Sequence, residues 1–184
     1  MGQSTVNISR RTLIGSDGSL LGVGDKVGVL EGLGRVSNET RRVFDLWLHT
    51  GRQDGLPRLA DFALDTIEDL LPSILIVDVL EATHDYRYRQ VGAREIEVRG
   101  EDPTGRTVRQ CHEGEILAFV LENYDRVVAN GDGLLDLSVD INRDQRFIAN
   151  EVIFLPFSDV GVAVTEILVY SHYIDTGKGA PAEL

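Results

Sequence analysis

The sequence predicts an α+β domain in which two strands, a cluster of helices and then three strands follow one another. Three observations carry that reading. Residues 73–92 hold the apolar run SILIVDVL, a short polar turn and then YRYRQVG, and segments this rich in β-branched and aromatic side chains pair as an antiparallel hairpin. Residues 114–130 repeat apolar side chains at helical spacing. Leu135, Leu137, Val139 and Ile141 alternate with Asp136, Ser138, Asp140 and Asn142, the two-residue period of a strand.

Taken in order, residues 1–35 carry eight glycines, among them the stretch GVGDKVGVLEGLG, without the GxGxxG or GxxxxGK[ST] spacing that a phosphate loop requires. They predict a Gly-rich arm with short extended pieces at 20–23 and 27–30. From Val36 the apolar residues Val43, Phe44, Trp47 and Leu48 recur on one helical face; Ser37 or Asn38 is placed to cap the first turn and Gly51 to stop the last. Trp47 reads as the packing anchor of that helix. Asp61 is placed to cap a second helix that Pro72 ends. The hairpin follows, its exit bent at Gly92. Residues 93–110, broken by Gly100, Pro103 and Gly105, predict short helical turns. The long helix over 114–130 carries Ile116, Leu117, Val120, Leu121, Tyr124, Val127 and Val128 and ends at Asn130-Gly131. NRDQ and SDVG then turn the chain between three antiparallel strands, the second over 146–157 and the third over 162–173. The domain spans 36–175, and 176–184 form a tail.

Hydrophobic residues make up 42% of the 184 and charged residues 26%, the balance of a globular chain with a real core. Thirty acidic against 18 basic residues give a formal charge of −12, which repels phosphate backbones and anionic headgroups; neither a nucleic acid nor a membrane is expected as partner. A single cysteine, Cys111, cannot form an internal disulfide, and no CxxC pair points to zinc. A cytoplasmic protein is the expectation.

The segments LPRLADF, LPSILIVDVL, YRYRQVG, GEDPTGR, ENYDRVV and IFLPFS, in this order, resemble a subfamily of small stand-alone PAS-like proteins of alphaproteobacteria; the resemblance covers residues 43–173. It implies a five-stranded antiparallel sheet of order 2-1-5-4-3 with helices over one face, preceded by an N-terminal helix. It further implies a pocket between helices and sheet, used in such domains for haem, flavin, small organic ligands or nothing. No output module is recognised in the sequence, so a signal would leave through a separate signalling protein.

Six residues form the expected ligand-binding set: Tyr88, Arg89, His112, Phe119, Tyr124 and Phe154. Tyr86 and Tyr88 lie on one face of their strand and Arg87 and Arg89 on the other. If the tyrosine face turns inward, Tyr88 lines the pocket; if the arginine face does, Arg89 can hold an anionic ligand, the alternative being an ion pair with a neighbouring strand. No resident cofactor is expected. Haem is the alternative, with His112 or the adjacent Cys111 as axial ligand. Scattered histidines give no metal site, and the flavin-reactive cysteine motif is absent around Cys111. Without GxSxG or HExxH the chain is not expected to be an enzyme, the competing reading being a small enzyme or ligand carrier on the same fold. The apolar side chains of residues 20–48 predict a homodimer that buries them.

Overall fold

The structure, a computed structural model, describes residues 8–14, 20–22, 36–51, 55–141 and 147–175. The hairpin and the C-terminal meander form as read. Strands β3 (Ile74–Leu80) and β4 (Asp85–Val91) pair antiparallel, as do β5 (Gly133–Ile141), β6 (Phe147–Phe157) and β7 (Glu166–Asp175) in succession. β3 lies against β7, with Leu75 opposite Val169. These five strands therefore run β4-β3-β7-β6-β5, the expected 2-1-5-4-3 order.

Two more strands extend the sheet. β1 (Ile8–Ile14) pairs antiparallel with β5, Thr12 opposite Leu135, and β2 (Leu20–Gly22) pairs with β1. The sheet of the described residues thus has seven strands. Of the extended pieces expected in the arm, that at 20–23 overlaps β2 and that at 27–30 lies outside the described residues. β1 had no counterpart in the sequence reading.

Both faces of the sheet are covered. On one face lies helix α1 (Asn38–Thr50), whose first-turn amide at Thr40 is capped by Ser37 Oγ at 3.1 Å. Val43, Phe44 and Trp47 of α1 pack with Phe62, Ile67 and Leu70 against Ile74, Ile153, Leu155 and Leu168 of the sheet. The Trp47 indole N–H donates to the Pro156 carbonyl at 3.0 Å. Glu151, on β6, fastens the start of the helix: its carboxylate accepts from the Ser37 amide at 2.9 and 3.1 Å and from Thr40 Oγ1 at 2.8 Å. The expected helix from Asp61 is instead two 3₁₀ segments, Leu59–Asp61 and Leu64–Ser73, the second kinked at Ile67 and containing Pro72. Tight short turns suit a stretch that a proline and a kink prevent from propagating an α-helix.

On the other face lie α2 (Ala93–Arg99), α3 (Val108–Cys111) and α4 (Gly114–Asn130). Tyr88, Val108, Tyr124 and Val127 pack there with Leu75, Leu134, Phe154 and Val169. α4 stops where expected: Gly131 takes φ of 68° and its N–H returns to the Val127 carbonyl, a conformation costly for other residues. Gly92, at the exit of β4, is needed for a different reason. A Cβ there would stand 2.3 Å from the Pro72 carbonyl oxygen and 2.5 Å from that of Leu71. That close approach lets the chain leave the sheet edge and turn into α2.

The alternation in β5 does not divide core from solvent, as a one-faced sheet would require. Leu135 and Leu137 face the α1 side, and Asp136, only 2% exposed, faces the α4 side. The apolar face of α1 is likewise covered from within the chain, Val43 completely and Trp47 to 1% exposure. The homodimer through residues 20–48 was expected because those side chains lacked cover; for α1, their own sheet supplies it.

Candidate functional site

A cavity of about 430 Å³ lies between α2, α4 and the inner face of β5, β6 and β7. Helical spacing builds one wall: Glu95, Val98 and Arg99 of α2, and Ile116, Phe119, Val120, Asn123 and Tyr124 of α4, stand three or four residues apart on single faces. Strand spacing builds the other, from Asn150, Val152 and Phe154 of β6 and Val169, Ser171 and Tyr173 of β7. Val98 and Ile116, 49% and 64% exposed, line the cavity as well as meeting solvent, so they form an apolar rim.

Five of the six expected residues line this space: Tyr88, His112, Phe119, Tyr124 and Phe154. The tyrosine face of β4 is the buried one. Arg89 is a correction. It lies on the opposite face, its Nε 3.1 Å from Asp78 Oδ1 and its guanidinium bonded to Glu166, while Arg87 also pairs with Asp78. In an acidic sheet the strand arginines meet carboxylates of neighbouring strands before any ligand can. His84 is exposed at the hairpin turn, in the left-handed region at φ of 46°.

The polar groups of the cavity centre on Arg99. Its guanidinium carbon stands 5.2 Å from the centre of the Tyr88 ring, and its Nε is 3.6 Å from Glu95 Oε2. Burial works against the Arg99 charge, but Tyr88, Tyr124, Glu95 and Tyr173 outweigh it and hold the guanidinium above its ordinary range. Glu95, 1% exposed, also accepts from the Tyr173 hydroxyl at 2.8 Å. The Tyr88 hydroxyl meets His112 Nε2 at 3.0 Å. Burial, then the charge of Arg99, pushes His112 below its usual range, so its ring is neutral near pH 7 and can accept from Tyr88. Burial raises Tyr88 and Tyr124, both of which remain phenols. The cavity is thus an apolar chamber with a tyrosine-lined ion pair in its wall.

Haem finds no ready axial ligand in this lining: His112 Nε2 is engaged by the Tyr88 hydroxyl, with Arg99 nearby. Cys111 is absent from the lining, and burial raises its thiol above the ordinary range. Among the described residues no three His, Cys, Asp or Glu side chains gather to hold a metal ion, and no helix is long and apolar enough to cross a membrane.

Sequence reasoning missed Glu95, Arg99, Asn123, Asp136 and Tyr173. The signals were present for three of them. Glu95 and Arg99 are four apart on a short helix, the spacing of a same-face ion pair. Asn123 interrupts the apolar stripe between Val120 and Val127, and a polar residue at a core position asks for a buried partner.

No protein-family model matches the chain. No curated protein matches it either. Among solved structures it is similar to one described as "Structure of an RNA-binding Light-Oxygen-Voltage Receptor", with a TM-score of 0.43 and 15% sequence identity. The match covers 96% of this chain and 40% of that one, so the chain spans well under half of that receptor's length.

Proposed function

We propose that the chain is a PAS-like sensory domain that binds a small organic molecule between α4 and the sheet and reports the binding to a separate protein. The observation that carries this reading is the cavity itself: about 430 Å³, largely apolar, with a few buried polar groups converging on it. Tyr88, His112, Phe119, Tyr124 and Phe154 are the proposed contacts. A competing catalytic reading has one observation in its favour, since Glu95 and His112 both line the cavity. They do not couple: Glu95 is held by Tyr173 and Arg99, and His112 by Tyr88, so neither is set to exchange a proton with the other.

Val152 lines the cavity and is half-buried, so Val152→Phe fills space without entering the α1 core. A screen of small aromatic and alicyclic compounds by thermal melting is expected to find ligands that raise the melting temperature saturably for the natural chain and not for Val152→Phe. Ligands indifferent to that substitution, or none at all, would remove the proposal. Turnover of a bound compound would favour the catalytic reading.

A further inference from the structure

Among the described residues, Asn123 Oδ1 and Arg99 Nε at the cavity wall have no hydrogen-bond partner, and they ask for opposite things. Asn123 is 2% exposed, and its Nδ2 points to Asp136 Oδ2 at 3.5 Å. A carboxylate can only accept, so the amide must turn its N–H toward Asp136, which leaves Oδ1 as an unpartnered buried acceptor. Arg99 Nε is an unpartnered buried donor, since Glu95 Oε2 at 3.6 Å is beyond hydrogen-bond reach. Buried groups of this kind are rare because each forfeits its bond to water.

The charges narrow the ligand further. Arg99 and Glu95 form an ion pair, and Asp136 adds a second carboxylate to the lining. An anionic head would gain Arg99 but meet both carboxylates, and a cationic head would gain the carboxylates but meet Arg99. An uncharged head avoids both penalties. Phe119 and Phe154, with Tyr124 edge-on to Phe154 at 5.6 Å, offer flat apolar walls to the rest of the molecule.

Resting on the ligand-binding reading above, we propose that the cavity takes an uncharged small molecule with an apolar, ring-sized body and a head that both donates and accepts a hydrogen bond, as a primary or cyclic amide does. The head accepts from Arg99 Nε and donates to Asn123 Oδ1.

Four probes with one ring and different heads test this on the full chain: benzamide, acetophenone, benzoate and benzylammonium. Amide and side-chain resonances of the isotope-labelled protein are followed up to millimolar concentration. Benzamide is expected to move the Asn123 side-chain amide and the Arg99 Nε–H, with acetophenone, which keeps the acceptor and lacks the donor, about tenfold weaker, the order of one buried hydrogen bond. Benzoate and benzylammonium are expected to be weaker again. Asn123→Leu should bring benzamide down to the level of acetophenone; the acetophenone comparison itself needs no variant to fold. If either charged probe binds the cavity as tightly as benzamide, or acetophenone equals it, the head-group assignment is wrong while the cavity remains a ligand site. Silence from all four probes at the cavity resonances overturns both.

Discussion

Trp47 and His112 show what single side chains contribute here. Trp47 is 1% exposed and donates to the Pro156 carbonyl, so Trp47→Ala removes a large buried ring and leaves an acceptor unpaired. The expected loss is about 3–5 kcal/mol, read from denaturant unfolding; Trp47→Phe, which keeps most of the volume, should lose much less. His112 has a folded-state pKa below its unfolded value of 6.5, because burial and Arg99 oppose its charge. Between those two values the unfolded chain binds the extra proton more readily, so stability rises with pH through that window. The contribution is complete above about pH 6.5 and is lost as the pH falls below it. Melting temperatures at about pH 7.5 and about pH 5.5 should therefore differ less for His112→Gln than for the natural chain. At this scale the sequence was informative where one residue type has one dominant use. Tyr88, Phe119, Tyr124 and Phe154 fell around the cavity, whereas Arg89 had two uses and took the ion pair.

Among the elements, α1 is the one whose attachment can be cut cleanly. Glu151 receives the Ser37 amide and the Thr40 hydroxyl, and Glu151→Ala strands both donors at a buried junction. A loss of about 1–3 kcal/mol is expected, with hydrogen exchange in α1 accelerated more than in α4; Glu151→Gln, which keeps an acceptor, should retain part of it. Gly92→Ala is expected to disturb the start of α2 and the β4 exit together, since its methyl group would overlap the Pro72 carbonyl. Elements with long unbroken periods, α4 and the meander, were legible in advance. The 3₁₀ character of Leu64–Ser73 was not, because apolar spacing alone does not distinguish a tight turn from an α-helix when the run is short. β1 escaped because ISRRTLI carries two consecutive arginines and finds its partner, β5, more than a hundred residues later; no local pattern announces such a pairing.

For the whole molecule, coverage of both sheet faces changes the expected behaviour of a shortened chain. A chain beginning at Asp54 loses the part of the cover over Ile74, Ile153 and Leu168 that Val43, Phe44 and Trp47 supply. It is expected to aggregate or to lose circular dichroism, whereas a helix serving only as a dimer handle would leave a folded monomer; light scattering and far-UV spectra of both chains separate the outcomes. The strand order was readable from element sequence plus resemblance. The two-sided core was not, because the polar positions of β5 resembled a solvent face. Only the placement of α4 over Asp136 shows that this position forms part of a chamber wall.

β6 has no spare side. Asn150, Val152 and Phe154 line the chamber, while Glu151, Ile153 and Leu155 hold or support α1. Loss of one residue within this stretch would transpose the two sets, carrying a carboxylate and branched chains to the chamber and an amide and an aromatic ring beneath the helix. Length variation within residues 150–155 should therefore be close to lethal for the fold, even where each individual substitution is mild. Among natural variants of this chain, insertions and deletions are expected to avoid that span altogether.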